Sequence, residues 1–534
     1  MSRGCASRCC AAIGGACTRS KSLAWPRPSR RLGSTRLKYL LSIAAGAALP
    51  LAFAPFEQFW IAPLSYAALF YLWRDAAPRQ AAALGFVFGC ASFGFGTYWT
   101  FIAVRVFGGA PIALALFLMV GLTLVLAGFI ALAGFAAARF FRARGAVAWL
   151  VTLPALFVLA EWLRGWLFTG FGWLAAGYTQ TDTWLMGYAP LGGILAISLA
   201  VVVTAGGLLT LAFGTLRERA AAAAVVVAVW VGGFAAGTQS FTQPKERALD
   251  VALAQGNIAQ EVKWEPEELP GMMLLYSELT KQSAGADLIV WPEAAIPTLV
   301  EYVEPYLEGI RKQSEEQGST VLLGILRLPE GAKSLEEFQN IVVALTDEPQ
   351  TYVKRHLVPF GEFFPVPDFI RGWMRYMNLP TGDAIPGAPD QPPFEVIGEK
   401  IAITICYEDV FGAEQLHSLP EATLLVNVSN DAWFGDSIAP HQHLQIARVR
   451  AAEAGRYLLR STNTGVTAVI GPRGELVDTL PQFRTGVLKG TVRGYTGATP
   501  YARVGNWLVV SLTLVMLAGA HAAARAGARR SRDA

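Results

Sequence analysis

Charge is scarce in this chain. Asp, Glu, Lys and Arg make up 16% of its 534 residues, against about 25% in ordinary soluble domains. With 53% hydrophobic residues and a mean hydropathy of +0.39, that scarcity argues against a wholly soluble protein. The net charge is only +4 and is spread along the chain, so nothing suggests a nucleic-acid-binding surface. Cysteine is also sparse. Cys5, Cys9, Cys10 and Cys17 crowd the N-terminus, Cys90 lies in an apolar run, and Cys406 stands alone in the charged part of the chain. A lone cysteine excludes a disulfide framework there. The N-terminal four have no neighbouring histidine and no zinc-like spacing, so a metal site is not expected. Residues 1–36 read as a basic, disordered extension, or as sequence ahead of a later start codon. No internal repeat is evident.

Long apolar runs are what the chain does have. They cover residues 39–54, 59–73, 81–104, 110–136, 147–163, 192–216, 220–236 and 507–520. Most approach the ~20 residues that cross about 30 Å of hydrocarbon. Basic residues mark alternate connections: Arg36 and Lys38, Arg74 and Arg79, Arg139, Arg142 and Arg144, Arg217 and Arg219, then Arg525, Arg529, Arg530 and Arg532. Lys and Arg resist translocation. The pattern predicts about eight spans with both termini in the cytoplasm. Residues 37–240 would form a membrane domain, 504–524 a final span, and 525–534 a cytoplasmic basic tail. Residues 245–495 would lie on the far side.

Within 245–495 the texture changes. Charged residues become frequent, and apolar strand-like runs appear at 250–254, 288–291, 320–325, 341–346, 400–405, 423–428 and 467–470. Helical stretches at 271–282, 301–317 and 441–457 separate several of them. That alternation predicts a layered α/β domain.

Three of the apolar runs end in chemically different groups. Glu293 follows a strand in LIVWPEAAIP, Lys354 follows another in TYVKRHLVPFGEFFP, and Cys406 ends a third in IAITICYEDVF. Taken singly, each has a bland reading: a buried cysteine is commonly a small hydrophobe, and a lone Glu or Lys is commonly a solvated charge. Taken together they are an acid, an amine and a thiol at strand ends, where α/β folds collect active sites. A thiol becomes a nucleophile as its thiolate, which needs a nearby base or cation. His441 and His443, in APHQHLQ, suggest helix-start or packing roles rather than a metal site. Residues 363–377, FFPVPDFIRGWMRYM, interleave aromatics with Arg371 and Arg375, and read as packing or as a lid dipping into a membrane interface. Glu161 and Arg164, at the outer end of a span, would pair with each other or line a lipid entrance.

In this order, WPEAAIP, YVKRHLVPFGEFFP and ICYEDVF resemble the Glu–Lys–Cys pattern of the nitrilase, or carbon–nitrogen hydrolase, superfamily. With the apolar spans the chain is similar to its membrane-embedded branch, the apolipoprotein N-acyltransferase family. The segments EWLRGWLFTGFGWLAAGY, VALAQGNIAQEVKW and VNVSNDAWFGDSIAPHQHLQIARVRAAEAGRYLLRSTNTG agree. The resemblance implies an αββα sandwich outside the cytoplasm of a bacterial inner membrane, joined to a polytopic helical domain. It implies Glu293 as general base, Lys354 as oxyanion stabiliser and Cys406 as nucleophile. Glu362, Tyr407 and Glu408 would support them, and Trp264 would handle substrate. The implied reaction loads an sn-1 acyl chain from a phospholipid, preferentially phosphatidylethanolamine, onto Cys406 as a thioester. It then passes the chain to the amine of the S-diacylglyceryl cysteine of an apolipoprotein. No cofactor is implied, and a monomer suffices. A membrane-anchored amidase or nitrilase is the main alternative. A transporter fits less well, because the spans lack paired broken segments and midplane charges.

Overall fold

The computed structural model describes residues 35–141, 145–332, 337–364 and 384–533, with the backbone alone for 527–533. The four N-terminal cysteines and residues 365–377 of the expected lid lie outside the described residues.

Twelve strands build two six-stranded sheets. The first uses β1 (Thr242–Gln255), β2 (Leu288–Val290), β3 (Thr320–Arg327), β4 (Gln339–Leu345), β5 (Gln350–Val353) and β12 (Gly486–Gly497), in the order β12-β1-β2-β3-β4-β5. The second uses β6 (Phe394–Val396), β7 (Glu399–Ile405), β8 (Leu424–Ser429), β9 (Leu458–Thr462), β10 (Thr467–Ile470) and β11 (Leu476–Leu480), in the order β11-β10-β9-β8-β7-β6. Each sheet has a parallel centre, β1-β2-β3 or β7-β8-β9, with antiparallel flanks. Parallel neighbours need crossovers. The helices Leu269–Gln282 and Val300–Glu316 provide them in the first sheet, and Ala439–Ala454 does so between β8 and β9.

Alternation along the strands sets the layers. Leu253, Val290, Leu322, Ile403, Ile405, Val426 and Leu459 face one another between the sheets. Ala252, Ile289, Trp291 and Leu323 face outward onto the first pair of helices. Leu425, Ala447 and Ala451 join the second sheet to the helix Ala439–Ala454. Each buried Leu, Ile or Val among them contributes about 1.5–3 kcal/mol, and the result is the expected helix–sheet–sheet–helix sandwich.

Outside the sandwich the described residues are largely helical. Among them, five helices are long and apolar enough to cross a membrane: Ile112–Phe141, Gly145–Arg164, Trp184–Phe213, Leu216–Gly237 and Trp507–Ala526. A sixth crossing would be the pair Pro78–Gly96 and Trp99–Phe107, bent by 54°. Thr35–Ala48 and Ile61–Trp73 have 14 and 13 residues, fewer than the ~20 of a full crossing. The run 81–104, expected as one continuous span, is therefore broken at Thr97 and Tyr98.

The break has a physical cause that lies in the other domain. The freed Gly96 carbonyl accepts from Gln442 Nε2 at 3.3 Å, and Trp99 Nε1 donates to Gln442 Oε1. The same helix supplies Gln445 Oε1 to the Ala54 amide and Glu453 Oε1 to the Ile194 amide, at 3.3 and 2.7 Å. Ile194 follows the non-helical pair Gly192 and Gly193. One helix of the sandwich thus satisfies backbone groups that irregular apolar segments leave open, as hydrocarbon requires. That helix ends at Ala454 rather than 457, because Gly455 turns left-handed at φ +65° and closes it.

Candidate active site

Glu293, Lys354 and Cys406 leave the C-terminal ends of β2, β5 and β7. The sandwich brings the first two together directly. Lys354 Nζ donates to Glu293 Oε1 at 3.2 Å and to Glu362 Oε1 at 2.7 Å. Asn340 Nδ2 donates to Glu293 Oε1 at 2.7 Å, and the Asn430 amide donates to Oε2 at 2.8 Å. The second Glu362 oxygen accepts from the Val358 amide. Both carboxylates are thus held by fixed donors, and the ammonium by the two carboxylates.

Cys406 starts a 3-10 turn directly after β7, with φ +52°. This left-handed setting costs a non-glycine residue on the order of 1–2 kcal/mol and aims the thiol away from the strand's alternation. Glu408 secures the turn. Its carboxylate accepts from the Ile405, Arg355 and His356 amides at 2.7, 2.8 and 3.2 Å, and from the Tyr352 hydroxyl. It therefore ties the Cys406 turn to the segment that carries Lys354. Tyr407 points the other way. Its ring stacks on Trp173 of the helical domain at 6.1 Å, and its hydroxyl donates to the Gly170 carbonyl at 3.1 Å. Trp264 stands apart, 46% exposed on the turn next to Lys263.

The electrostatics form a set. Burial alone would raise the Glu293 carboxyl, but Lys354, the Asn340 hydrogen bond and Lys263 outweigh it and hold the pKa below its ordinary value. Burial would lower the Lys354 ammonium, but Glu293 and Glu362 keep it well above the usual lysine range. Burial and the Glu293 charge push the Cys406 thiol well up, against the pull of Lys354 and of a hydrogen bond with Ser429. At neutral pH the site thus holds an ionised carboxylate beside a protonated thiol and a fixed cation. That arrangement can move a proton from sulfur to carboxylate and stabilise an oxyanion.

Sequence reasoning missed several residues here. Lys263 is fully buried, and its ammonium donates to the Glu293 carbonyl at 3.2 Å. Asn340 and Asn430 anchor Glu293. His443, read as a helix-start or packing residue, is fully buried beneath Cys406, with Nε2 3.3 Å from its carbonyl. His441 lies on the same helix, and burial lowers its pKa. Lys263 and His443 lie inside the segments VALAQGNIAQEVKW and VNVSNDAWFGDSIAPHQHLQIARVR, but no local pattern marks them as buried. Glu161 and Arg164 do pair, at 4.0 Å. Glu161 also accepts from the Ala176 amide, and Arg164 donates to the Phe171 and Trp173 carbonyls, so the pair braces the loop that presents Trp173 to Tyr407.

Two family models match the chain: the apolipoprotein N-acyltransferase N-terminal domain over residues 45–207 and carbon–nitrogen hydrolase over residues 250–501. An apolipoprotein N-acyltransferase of Methylococcus capsulatus is 41% identical over 89% of this chain and 94% of its own length. That of Azotobacter vinelandii is 41% identical over 90% of this chain and 93% of its own. Among solved structures, a nitrilase-superfamily amidase of Nesterenkonia AN1 aligns with 49% of this chain and 95% of its own, at 18% identity and a TM-score of 0.35. The relatives match both the helical and the α/β parts of the chain at this identity, so the chain belongs to the apolipoprotein N-acyltransferase family.

Proposed function

We propose that the chain transfers a fatty acyl group in two steps through Cys406, from a phospholipid to the N-terminal amine of a diacylglyceryl apolipoprotein. The observation that carries this reading is the joint hold of Glu293 and Glu362 on Lys354 beside the strained Cys406 turn. In the first step Glu293 takes the thiol proton, and sulfur attacks the sn-1 ester carbonyl. Lys354 stabilises the oxyanion. The ester C–O bond breaks, the Glu293 proton passes to the departing oxygen, and a lysophospholipid leaves the acyl chain as a thioester. In the second step the lipoprotein amine attacks the thioester carbonyl, and Glu293 accepts its proton. The C–S bond breaks, the thiol regains a proton, and an amide remains. Separate loading and unloading make the scheme ping-pong. Glu362 and Glu408 hold the parts in place, Tyr407 fixes the turn against the helical domain, and Trp264 meets substrate at the rim. Phosphatidylethanolamine is the expected donor, and a monomer is the working unit.

Lipid substrates explain why a sandwich of this kind is tied to so much apolar helix. The alternation of basic connections supports an inner-membrane topology with about eight spans, cytoplasmic termini and a periplasmic sandwich. In that count Thr35–Ala48 and Ile61–Trp73 are short crossings. The test is to incubate purified enzyme with phospholipid labelled in its sn-1 chain, without acceptor, and to locate label by mass spectrometry. A hydroxylamine-labile adduct on Cys406, absent in Cys406→Ser and passed to a diacylglyceryl-cysteine peptide, is the expected result. Untouched lipid and an unlabelled Cys406, with acceptor present, would favour a small-molecule C–N hydrolase instead.

A further inference from the structure

Four charged side chains meet beneath Cys406, and all four are fully buried. They come from four separate elements: Asp409 from the nucleophile's own turn, Asp431 from the turn after β8, His443 from the helix Ala439–Ala454, and Arg460 from β9. His443 Nε2 lies 2.8 Å from Asp409 Oδ1, and Nδ1 lies 2.8 Å from Asp431 Oδ1. Arg460 donates to Asp409 Oδ2 at 3.2 Å, to Asp431 Oδ2 at 2.9 Å and to Asn427 Oδ1 at 2.6 Å. The Trp173 ring of the helical domain covers the imidazole at 5.4 Å. Buried charge of this kind is costly unless every member is paired. Two carboxylates balance one guanidinium only if the imidazole is also charged.

Two threads lead from this assembly to the nucleophile. His443 Nε2 reaches the Cys406 carbonyl at 3.3 Å, beside Asn427 Nδ2 at 3.5 Å. Asp431 Oδ1 accepts from the Ser429 hydroxyl at 3.2 Å, and that hydroxyl acts to lower the Cys406 thiol pKa, against the larger effect of burial. One thread holds the backbone of a left-handed residue, and the other holds its sulfur. A left-handed non-glycine setting persists only where its surroundings over-determine it. Without a donor, the Cys406 carbonyl would also be a buried, unsatisfied acceptor.

We infer that His443 is a positioning residue for the nucleophile, locking the Cys406 carbonyl and thiol in place through the buried assembly with Asp409, Asp431 and Arg460. The inference rests on the reading of Cys406 as nucleophile. Burial and Arg460 oppose a charged imidazole, but Asp409 and Asp431 outweigh them and raise His443 to about 9.

The test uses the full chain in detergent and reads two quantities: the rate of Cys406 alkylation by iodoacetamide, and kcat and KM for acyl transfer. Three substitutions separate the threads. His443→Leu removes both ring nitrogens, His443→Gln keeps a donor, and Ser429→Ala removes only the hydroxyl that links Asp431 to the thiol. Expected are alkylation rates and kcat lowered about tenfold to a hundredfold in His443→Leu and Ser429→Ala, KM within about twofold, and partial recovery in His443→Gln. If His443→Leu does not fold, Ser429→Ala carries the test. Folded variants that alkylate and turn over like the parent overturn the positioning role while leaving the nucleophile intact. A parent that is neither alkylated nor acylated at Cys406 overturns the reading beneath it.

Discussion

Lys263 lies wholly inside the protein, and its ammonium is bonded to the Glu293 carbonyl at 3.2 Å. Burial lowers its pKa to about 8, although the charges of Glu293 and Cys406 act to raise it. The influence is mutual, because Lys263 helps hold the Glu293 carboxyl low. Removing the cation must let the Glu293 pKa rise. A base with a higher pKa is protonated at higher pH, so in Lys263→Met the acid limb of kcat/KM should move toward higher pH. A pH–rate profile over the acid range checks this, and an unmoved limb would show that Lys263 only fills space. Nothing in VKW distinguishes such a lysine from a surface one. Its value is set by the walls around it.

At the scale of elements, the placement of Glu293 depends on a glycine in a neighbouring strand. A Cβ on Gly324 of β3 would lie 2.6 Å from Glu293 Cα, 2.6 Å from the Pro292 carbonyl oxygen and 2.9 Å from the Ala294 amide. All three are backbone atoms and cannot swing aside. Gly324→Ala should therefore destabilise the sandwich by about 1–3 kcal/mol and lower kcat more than tenfold by pushing Glu293 off Lys354. Gly309, in the helix Val300–Glu316, is the control, since a Cβ there meets nothing within 4 Å. Gly309→Ala should be neutral or stabilising by about 0.5–1 kcal/mol. Melting temperatures and turnover of both variants decide the matter, and equal effects would remove the argument. The same scale shows what local pattern could reveal. The centres of β2, β3 and β7 are unbroken apolar runs, legible because both faces are buried. β9 went unexpected because LLRST mixes Arg460, Ser461 and Thr462 into a wholly buried strand, and most of their partners, from Ala254 to His443, lie well outside it in sequence.

For the whole molecule, the helix Ala439–Ala454 is the junction. It covers the second sheet through Leu444, Ala447 and Ala451 and enters the helical core through Ile446, Val449 and Ala452. Its polar side chains cap that domain and reach beneath Cys406. Stability should report this. His443 has its folded value at about 9, above the ordinary 6.5, so its charged form is favoured by folding. The associated stabilisation is complete below pH 6.5 and is lost as the pH rises through about 9. It is on the order of 3 kcal/mol. The melting temperature of the parent should therefore exceed that of His443→Gln most at pH 6, and the difference should narrow above pH 9. A difference constant from pH 6 to 10 would mean that the imidazole is buried uncharged.

What the sequence alone determined is what local pattern can carry. Runs of about 20 apolar residues announce hydrocarbon, apolar strands announce a layered domain, and their C-terminal ends locate Glu293, Lys354 and Cys406. Glu362 and Glu408 were legible as candidates, and so was Glu362's partner Lys354, while the backbone amides that hold Glu408 were not. Only the tertiary structure decided which charges lie dry and paired, which way Tyr407 faces, and where the run 81–104 breaks. The reason is physical. Burial, pKa and a left-handed φ at Cys406 are set by groups far away in the chain, from Trp173 to Arg460, and a sequence window holds no record of what will surround it.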